Sequence, residues 1–289
     1  MPTMPTDLAV VTDSTAYLPE ELVERHRLVV VPLKVVLRGR PLDDGIEATP
    51  AQLADALRQR RIVTTSRPAP ETFAETYREL AEKGAAGIVS IHLSNELSGT
   101  YEAALLAARD AEVPVRVVDS RTLGMGMGFA VLAAAEAAAD GATLEEAAIA
   151  AEKRAQAGSA LFYVDTLEYL RRGGRIGAAA AFMGTALAVK PLLHVSDGLI
   201  GPLEKVRTSA RAISRLEELA VERAGAAGAG PVDVAVHHLA SPERAEALAG
   251  RLRERLGEGL GELYVSEVGA VIGAHAGPGL LAVVVSPRR

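Results

Sequence analysis

The sequence predicts an α/β protein with two lobes, an N-terminal lobe built on a mostly parallel open sheet with flanking helices and a C-terminal α+β lobe. In the first half, short β-branched runs alternate with helical stretches, which is typical of a parallel sheet. In the second half this alternation gives way to a hairpin and longer helices. The 289 residues are enough for two separate cores. We therefore expect lobes at residues 7–158 and 159–287.

The N-terminal lobe is expected to contain four strands with helices between them. The strand segments are rich in aliphatic residues and are Leu8–Thr12, Leu28–Leu37, Gly87–Leu93 and Val115–Val118. The helices are predicted to open near Thr49, Pro70, Ser98 and Thr143. Thr49 and Thr143 are each followed three residues later by Gln or Glu, the capping-box signature of a helix N-terminus. The glycine-rich segment Gly124–Gly128 is expected to be a flexible turn.

The C-terminal lobe is expected to begin with a strand at Ala160–Val164 and to contain a hairpin. In this hairpin Ser196-Asp197-Gly198 is the turn between two apolar segments. A glycine-rich loop that carries His275 is expected at residues 269–279. The remaining elements alternate helix and strand and are Ser209–Arg223, Val232–His238, a helix from Ser241, Leu263–Val268 and Leu280–Val285.

Composition excludes several functional classes. The net charge of −6 offers no basic face for nucleic acid. The absence of cysteine excludes disulfides, thiolate catalysis and Cys-ligated metals. The first residues lack the pattern of a secretory signal, and no apolar run is long enough to span a membrane. We therefore expect a cytoplasmic protein with at most transient membrane contact.

Small hydroxyl side chains follow three of the predicted parallel strands. They are Ser14, Ser94 and Ser120. The carboxyl ends of parallel strands share one edge, outside which ligands bind, so these hydroxyls would line one rim. Alternatively, each serine caps the next helix. The backbone N–H groups near Ser98–Thr100 are a further expected anion site.

Known catalytic and cofactor motifs are missing. There is no Walker phosphate loop and no HExxH metal motif. His237 and His238 are adjacent on a strand and point to opposite faces, which suits neither chelation nor a dyad. The Gly124–Gly128 segment lacks the acidic partner of a dinucleotide site. We expect no catalytic residue, metal or cofactor of the chain's own.

Seven motifs, in order along nearly the whole chain, resemble those of the DegV family. They are Thr12-Asp13-Ser14, Thr65-Ser66-Arg67-Pro68, Leu97-Ser98-Gly99-Thr100-Tyr101, Gly173-Gly174-Arg175-Ile176, Lys190-Pro191, Lys205-Val206-Arg207-Thr208 and Gly273–Gly279. The resemblance implies two lobes that enclose a long-chain fatty acid such as palmitate. It also implies a binding subunit of bacterial fatty-acid kinase, active in phospholipid synthesis. A separate catalytic subunit would supply ATP and Mg and phosphorylate the carboxylate.

The resemblance also assigns site residues. The carboxylate would be held by Thr65, with Ser66 beside it, by Ser98 or Ser94 next to Gly99, and by His275. Arg175 and Arg207 would lie near the head group or on the kinase-facing surface. Three positions differ from the family pattern, since Ala69, Asn95 and Gly124 stand where serines are common. Which of Ser94 and Ser98 contacts the carboxylate is left open.

A fatty-acid tail needs an apolar tunnel, and the segments Leu161–Val164, Ala178–Val189 and Met125–Phe129 are candidates for its lining. Packing in the ordinary hydrophobic core is the alternative for each segment.

A stand-alone serine esterase or acyltransferase, with Ser98 or Ser120 as nucleophile and His275 as base, is a different possible function. A lipid-sensing regulatory protein is another.

Overall fold

The computed structural model describes residues 7–183, 189–228 and 230–288. The chain divides into two compact units. Unit 1 comprises Met1–Leu33 and Ser66–Gln156, and unit 2 comprises Lys34–Thr65 and Ala157–Arg289. The predicted N-terminal lobe, residues 7–158, differs from unit 1 because the segment Lys34–Thr65 belongs to unit 2. That segment forms its own small sheet, and its helix packs within unit 2.

The strands of the described residues form three sheets. In chain order they are β1 (Leu8–Asp13), β2 (Val29–Val31), β3 (Lys34–Leu37), β4 (Arg40–Asp43), β5 (Val63–Ser66), β6 (Gly87–His92), β7 (Val115–Asp119), β8 (Ser159–Tyr163), β9 (Lys190–Ser196), β10 (Leu199–Val206), β11 (Val232–His238), β12 (Leu260–Glu267) and β13 (Leu281–Pro287).

The α-helices lie mainly between these strands. In chain order they are α1 (Glu20–Arg25), α2 (Pro50–Arg58), α3 (Pro70–Glu82), α4 (Thr100–Ala108), α5 (Met125–Ala139), α6 (Leu144–Ala157), α7 (Glu168–Arg172), α8 (Ser209–Ala226), α9 (Pro242–Leu256) and α10 (Ala270–Ala276). Both predicted capping boxes form, at Thr49 with Gln52 and at Thr143 with Glu146. Among the described residues, no helix has both the length and the apolar character needed to cross a bilayer.

Unit 1 contains the predicted parallel sheet, with strand order β2-β1-β6-β7. Every residue of β6 is buried. Helices α3 and α4 pack on the sheet around Phe73, Tyr77 and Ile88, and α5 also contacts β1 and β6. The prediction of one strand over Leu28–Leu37 is wrong. Pro32 separates β2 from β3, and β3 pairs with β4 in a different sheet. Proline has no N–H to donate, which disfavours a continuous ladder.

Unit 2 contains a six-stranded mixed sheet with strand order β10-β9-β8-β13-β11-β12 and a small sheet β4-β3-β5. In the larger sheet only the pair β11 and β12 is parallel. The predicted hairpin is confirmed as β9 and β10. Asp197 and Gly198 form its two-residue turn with φ values of 52° and 82°, which suits the twist of the flanking strands. Helices α8 and α9 cover an aliphatic core.

Two glycine-rich segments contain helices where the sequence suggested a loop and a turn. The predicted loop at 269–279 is wrong in its centre, because residues 270–276 form α10. The predicted turn Gly124–Gly128 is also wrong. Helix α5 begins at Met125, and Gly126 and Gly128 lie within it. A Cβ atom at Gly126 would stand 2.6 Å from Oγ1 of Thr122, so this glycine serves close packing and not a bend.

Candidate functional site

The hydroxyl of Thr65 and the imidazole of His275 meet within unit 2. Thr65 Oγ1 lies 2.8 Å from His275 Nε2, a hydrogen bond between residues 210 positions apart in sequence. Thr65 is on β5, and His275 is in the last turn of α10. Two residues that the family resemblance assigned to the same head group are therefore in direct contact.

The imidazole of His275 is neutral in its surroundings. Burial is the main cause that lowers the pKa of His275, to about 4, and the nearby guanidinium of Arg175 lowers it further. Nδ1 of His275 is buried and has no hydrogen-bond partner among the described residues. The ring lies against the backbone of Gly173, where a Cβ atom would overlap Nδ1. This contact explains the first glycine of the Gly173-Gly174 motif.

The glycines around His275 allow α10 to pack closely within unit 2. A Cβ atom at Gly273 would overlap the side chain of Leu53 on α2. Gly277 ends the helix with a φ of 79°, a conformation that L side chains rarely adopt, and a Cβ there would overlap the ring of Tyr169. The glycine-rich motif is thus a packing motif that sets where His275 lies.

The two predicted arginines differ in their relation to His275. Arg175 is exposed, and its Nη1 donates to the carbonyl oxygen of Gly173 at 2.7 Å, next to the His275 ring. Arg207 is exposed in the turn between β10 and α8, beside Thr208, which caps α8. The structure thus places Arg175 by His275, and no contact of Arg207 with the Thr65–His275 pair is observed among the described residues.

Ser94 has a structural role in the loop after β6. It is fully buried, its N–H donates to the carbonyl of Thr122 at 2.8 Å, and its hydroxyl accepts from the N–H of Glu96 at 3.3 Å. Its carbonyl accepts the N–H of Ser98 at 3.1 Å. The Ser98 N–H is therefore used inside the loop and is not an anion donor, whereas an anion site at the N–H groups of Gly99 and Thr100 stays a prediction.

Ser98 is the more accessible of the two candidate serines. It is partly buried, and its Oγ lies 2.8 Å from Oγ1 of Thr100 at the start of α4. The guanidinium of Arg67 lies against Gly99, where a Cβ atom would overlap it. Sequence reasoning did not select Arg67 as a site residue, although it lies inside the Thr65-Ser66-Arg67-Pro68 motif. Ser66 is exposed at the end of β5.

Ser98, Ser66 and Gly99 belong to unit 1, whereas Thr65 and His275 belong to unit 2. Their grouping around one carboxylate stays a prediction. The esterase alternative with Ser98 as nucleophile and His275 as base also stays a prediction. For Ser120, the hydroxyl donates to the carbonyl of Thr122 and accepts its N–H, each at 3.3 Å. The Ser120 hydroxyl is therefore used in the turn that follows β7, and the N-cap of α5 is Gly124.

A buried polar network in unit 1 was missed by sequence reasoning. Tyr77 donates to Ser90 at 2.8 Å, Ser90 Oγ lies 2.8 Å from His92 Nε2, and His92 Nδ1 lies 3.1 Å from Asp13 Oδ2. All four side chains are buried. The order resembles a Ser-His-Asp triad, but the burial leaves a substrate no access to it. Asp13 Oδ2 also accepts the N–H of Leu93, so the network fixes the start of the Ser94–Ser98 loop.

Two of the three proposed tail segments, Leu161–Val164 and Met125–Phe129, are apolar and buried, whereas the described part of Ala178–Val189 is mostly exposed and only Ala179 in it is buried. Leu161 and Tyr163 belong to the main core of unit 2, and Met125 and Met127 are fully buried in α5. Within Ala178–Val189, residues 184–188 lie outside the described part. A cleft of about 520 Å³ in unit 1 lies between α3 and α4. It includes Glu71 and Asp110, so it is not the expected apolar tunnel, and the tail lining stays a prediction.

The described residues contain no cluster of three or more His, Asp or Glu side chains suited to a metal ion. His237 and His238 have separate partners, as their opposite orientations predict. His237 Nδ1 lies 2.9 Å from Ser266 Oγ, and His238 Nδ1 accepts the N–H of Ser241 at 3.5 Å. Burial lowers the pKa of His237 to about 4.

Comparisons with known proteins support the resemblance over almost the whole chain. A family model described as "Uncharacterised protein, DegV family" matches residues 7–288. A DegV domain-containing protein of Streptomyces coelicolor is 65% identical over 281 residues, which cover 97% of this chain and 99% of the relative. The protein DegV of Bacillus subtilis is 38% identical over 282 residues, covering 96% and 98%.

Solved structures share the fold. A DegV family protein from Thermus thermophilus, described by its fatty-acid binding, superimposes with a TM-score of 0.89 at 35% identity, covering 97% of this chain and 99% of that one. DegV from Bacillus subtilis, described as a fatty acid binding protein, gives a TM-score of 0.88 at 36% identity, covering 98% and 100%. The α/β fold read from the sequence is thereby confirmed.

Proposed function

Because the chain belongs to the DegV family, we propose that it binds a long-chain fatty acid such as palmitate, with its carboxylate at Thr65 and His275. The observation that carries this proposal is the 2.8 Å hydrogen bond between these two side chains. The fatty-acid binding of the similar Thermus thermophilus and Bacillus subtilis proteins supports it.

The neutral state of His275 determines how the pair would act. With the pKa of His275 lowered to about 4, the imidazole carries one proton near neutral pH. If this proton is on Nε2, it donates to Thr65 Oγ1, and the Thr65 hydroxyl hydrogen is then directed to the ligand. A hydrogen bond to a charged carboxylate contributes about 1.5–3 kcal/mol. Thr65 would be the direct donor, and His275 would orient it.

A second hydroxyl donor is expected to complete the head-group site. We assign this role to Ser98 in preference to Ser94, because Ser94 is fully buried and its hydroxyl already accepts from the Glu96 N–H. Ser66 and Gly99 would border the carboxylate. Arg175 lies next to the His275 ring and is exposed. Its guanidinium would offset part of the negative charge of the fatty-acid carboxylate.

The tail supplies most of the binding free energy. Roughly 15 carbon groups at about 0.8 kcal/mol each give on the order of 12 kcal/mol in gross terms. Ordering the chain on binding subtracts several kcal/mol, and an affinity near micromolar or tighter is left. The buried apolar segments Leu161–Val164 and Met125–Phe129 are the described candidates for the walls of the tunnel.

We further propose that the protein is the fatty-acid-binding subunit of a kinase and does not act as an enzyme alone. Neutral donors leave the carboxylate a competent nucleophile. Its oxygen would attack the γ-phosphorus of ATP on a separate cytoplasmic kinase subunit, which holds Mg, and ADP would leave as the acyl phosphate forms. Exposed Arg175 and Arg207 are the proposed kinase-facing residues. Purified protein mixed with that subunit, palmitate and ATP should yield acyl phosphate, and a pair that yields none would reject this role.

Thr65→Ala, with Thr64→Ala as its control, tests the binding proposal. Thr64 is the neighbouring residue on β5 and is exposed, whereas Thr65 is partly buried against His275. We expect Thr65→Ala to weaken palmitate binding about tenfold or more, the loss of one charge-assisted hydrogen bond. Thr64→Ala should bind like the wild type. Equal affinity in the two variants, or a protein that binds no fatty acid, would overturn the assignment.

A further inference from the structure

The N-terminus of α10, the helix that carries His275, is capped by a residue from a distant part of the chain. Asp44 Oδ1 accepts the N–H groups of Ala270 at 2.7 Å and Val271 at 3.3 Å. Ala270 is 226 positions away in sequence. Gly269, the residue at the usual capping position, has no side chain with which to cap the helix. The carboxylate of Asp44 satisfies N–H groups that this helix end leaves open.

The segment that presents Asp44 is itself held firmly. Asp44 is 2% exposed. The carbonyl of Asp43 accepts the N–H groups of Glu47 at 2.9 Å and Ala48 at 3.0 Å, and the Asp43 N–H donates to the Glu47 carboxylate at 3.1 Å. A buried carboxylate is costly without partners, so its position is determined by the donors it receives. Asp44 therefore joins a rigid turn to the start of α10.

Helix α10 is short enough for its N-terminal cap to control its other end. It has seven residues, and His275 is the sixth. Its middle is tightly packed, because a Cβ atom at Gly273 would overlap Leu53 and stand 3.0 Å from Leu239. A shift or rotation of the first turn would therefore move the imidazole relative to Thr65.

We propose that Asp44 is a positioning residue for the head-group site, which fixes α10 so that Nε2 of His275 meets the hydroxyl of Thr65. The carboxylate also suits the positive end of the helix dipole. Asp44 need not touch the ligand and acts through His275. Its effect on fatty-acid affinity rests on the proposed function, whereas its effect on the His275 ring does not.

Asp44→Ala is the primary test, with the ring ¹⁵N NMR signals of His275 as the readout. These signals report the hydrogen bond to Thr65 without any ligand, and the spectrum of His275→Asn assigns them. We expect Asp44→Ala to shift the His275 signals and to weaken palmitate binding about tenfold, as loss of a supporting residue typically does. Asp44→Asn keeps one acceptor oxygen and should restore both properties toward wild type.

Asp233→Ala is the matched control for general loss of stability. Asp233 is a buried carboxylate of the same unit, and its Oδ1 accepts the Glu262 N–H at 2.7 Å and Arg288 Nε at 2.6 Å. It lies near the start of β11, whereas Leu239, which packs on α10, follows the end of that strand. Asp233→Ala should lower the Tm and leave the His275 signals unchanged.

The outcomes separate this inference from the proposed function. Wild-type His275 signals in Asp44→Ala, or an equal shift in Asp233→Ala, would overturn the positioning role. A wild type that binds no palmitate would reject the proposed function, while the NMR comparison would still decide the role of Asp44. If Asp44→Ala does not fold, Asp44→Ser replaces it. Its shorter side chain should displace the signals partly, and unshifted signals would also overturn the role.

Discussion

The imidazole of His275 packs directly on the backbone of Gly173 and leaves no room for a side chain at position 173. The imidazole occupies the space that a Cβ atom at Gly173 would need, on the side of Nδ1. The carbonyl of the same glycine accepts Nη1 of Arg175 at 2.7 Å. One residue without a side chain thus places both the ring and the guanidinium that lowers its pKa.

Gly173→Ala is predicted to displace the His275 ring and to weaken palmitate binding about tenfold or more, because the added methyl group overlaps Nδ1. Gly225→Ala is the control, since a Cβ atom there meets no other atom within 4 Å. Isothermal titration with palmitate measures the difference. Unchanged affinity in Gly173→Ala would contradict the assigned contact.

The stability of the protein is predicted to fall as the pH is lowered from about 6.5 to about 4. The pKa of His275 is lowered to about 4 in the folded state, whereas an unfolded histidine titrates near its ordinary value of 6.5. Between these two pH values the unfolded state binds more protons than the folded state. The free energy of unfolding therefore rises with pH and decreases on acidification. The loss attributable to His275 is at most about 3 kcal/mol.

Urea unfolding of wild type and His275→Asn across this pH range measures that contribution. His237 has a similarly lowered pKa and contributes in the same direction in both proteins, so the difference between the two proteins isolates His275. We expect a flatter pH dependence in the variant. Identical slopes would show that His275 is not held neutral by the fold.

Ser98→Ala and Ser94→Ala are predicted to have different consequences. Ser98→Ala should weaken palmitate binding about tenfold with little change in Tm, because its partly buried hydroxyl bonds only a neighbouring Thr100 among the contacts described. Ser94→Ala should lower the Tm, because it leaves the Glu96 N–H without this acceptor. Ester hydrolysis that is present in the wild type and lost in Ser98→Ala would instead favour the esterase alternative.

Asp13→Ala is predicted to destabilise the protein by about 3 kcal/mol or more. Its carboxylate accepts from Thr15 and Leu93 and contacts His92, and every one of these groups is buried. Their loss of a partner carries a full desolvation cost. Tyr77→Phe, which removes only the outer end of the network, should cost about 1 kcal/mol. Urea unfolding compares the two, and equal losses would contradict the central role of Asp13.

Local patterns predicted much of the secondary structure. The capping boxes at Thr49 and Thr143 form because their partners are three residues away. The hairpin turn at Asp197-Gly198 forms because both residues tolerate positive φ. The glycine pattern misled at Gly126 and Gly273, which lie inside helices and allow close packing, whereas Gly124, Gly277 and Gly279 in the same segments have positive φ. A glycine in sequence does not reveal which of these two uses it has.

The sequence by itself determined the α/β class, the order of most strands and helices, and the residue types suited to an acidic head group. Only the tertiary structure decided that Thr65 and His275 are bonded, that Ser94 is used inside its own loop, and that Asp44 caps α10. Capping and turn preferences depend on neighbours in the chain. A contact across 210 or 226 positions depends on how helices and sheets pack, which no short stretch of residues encodes.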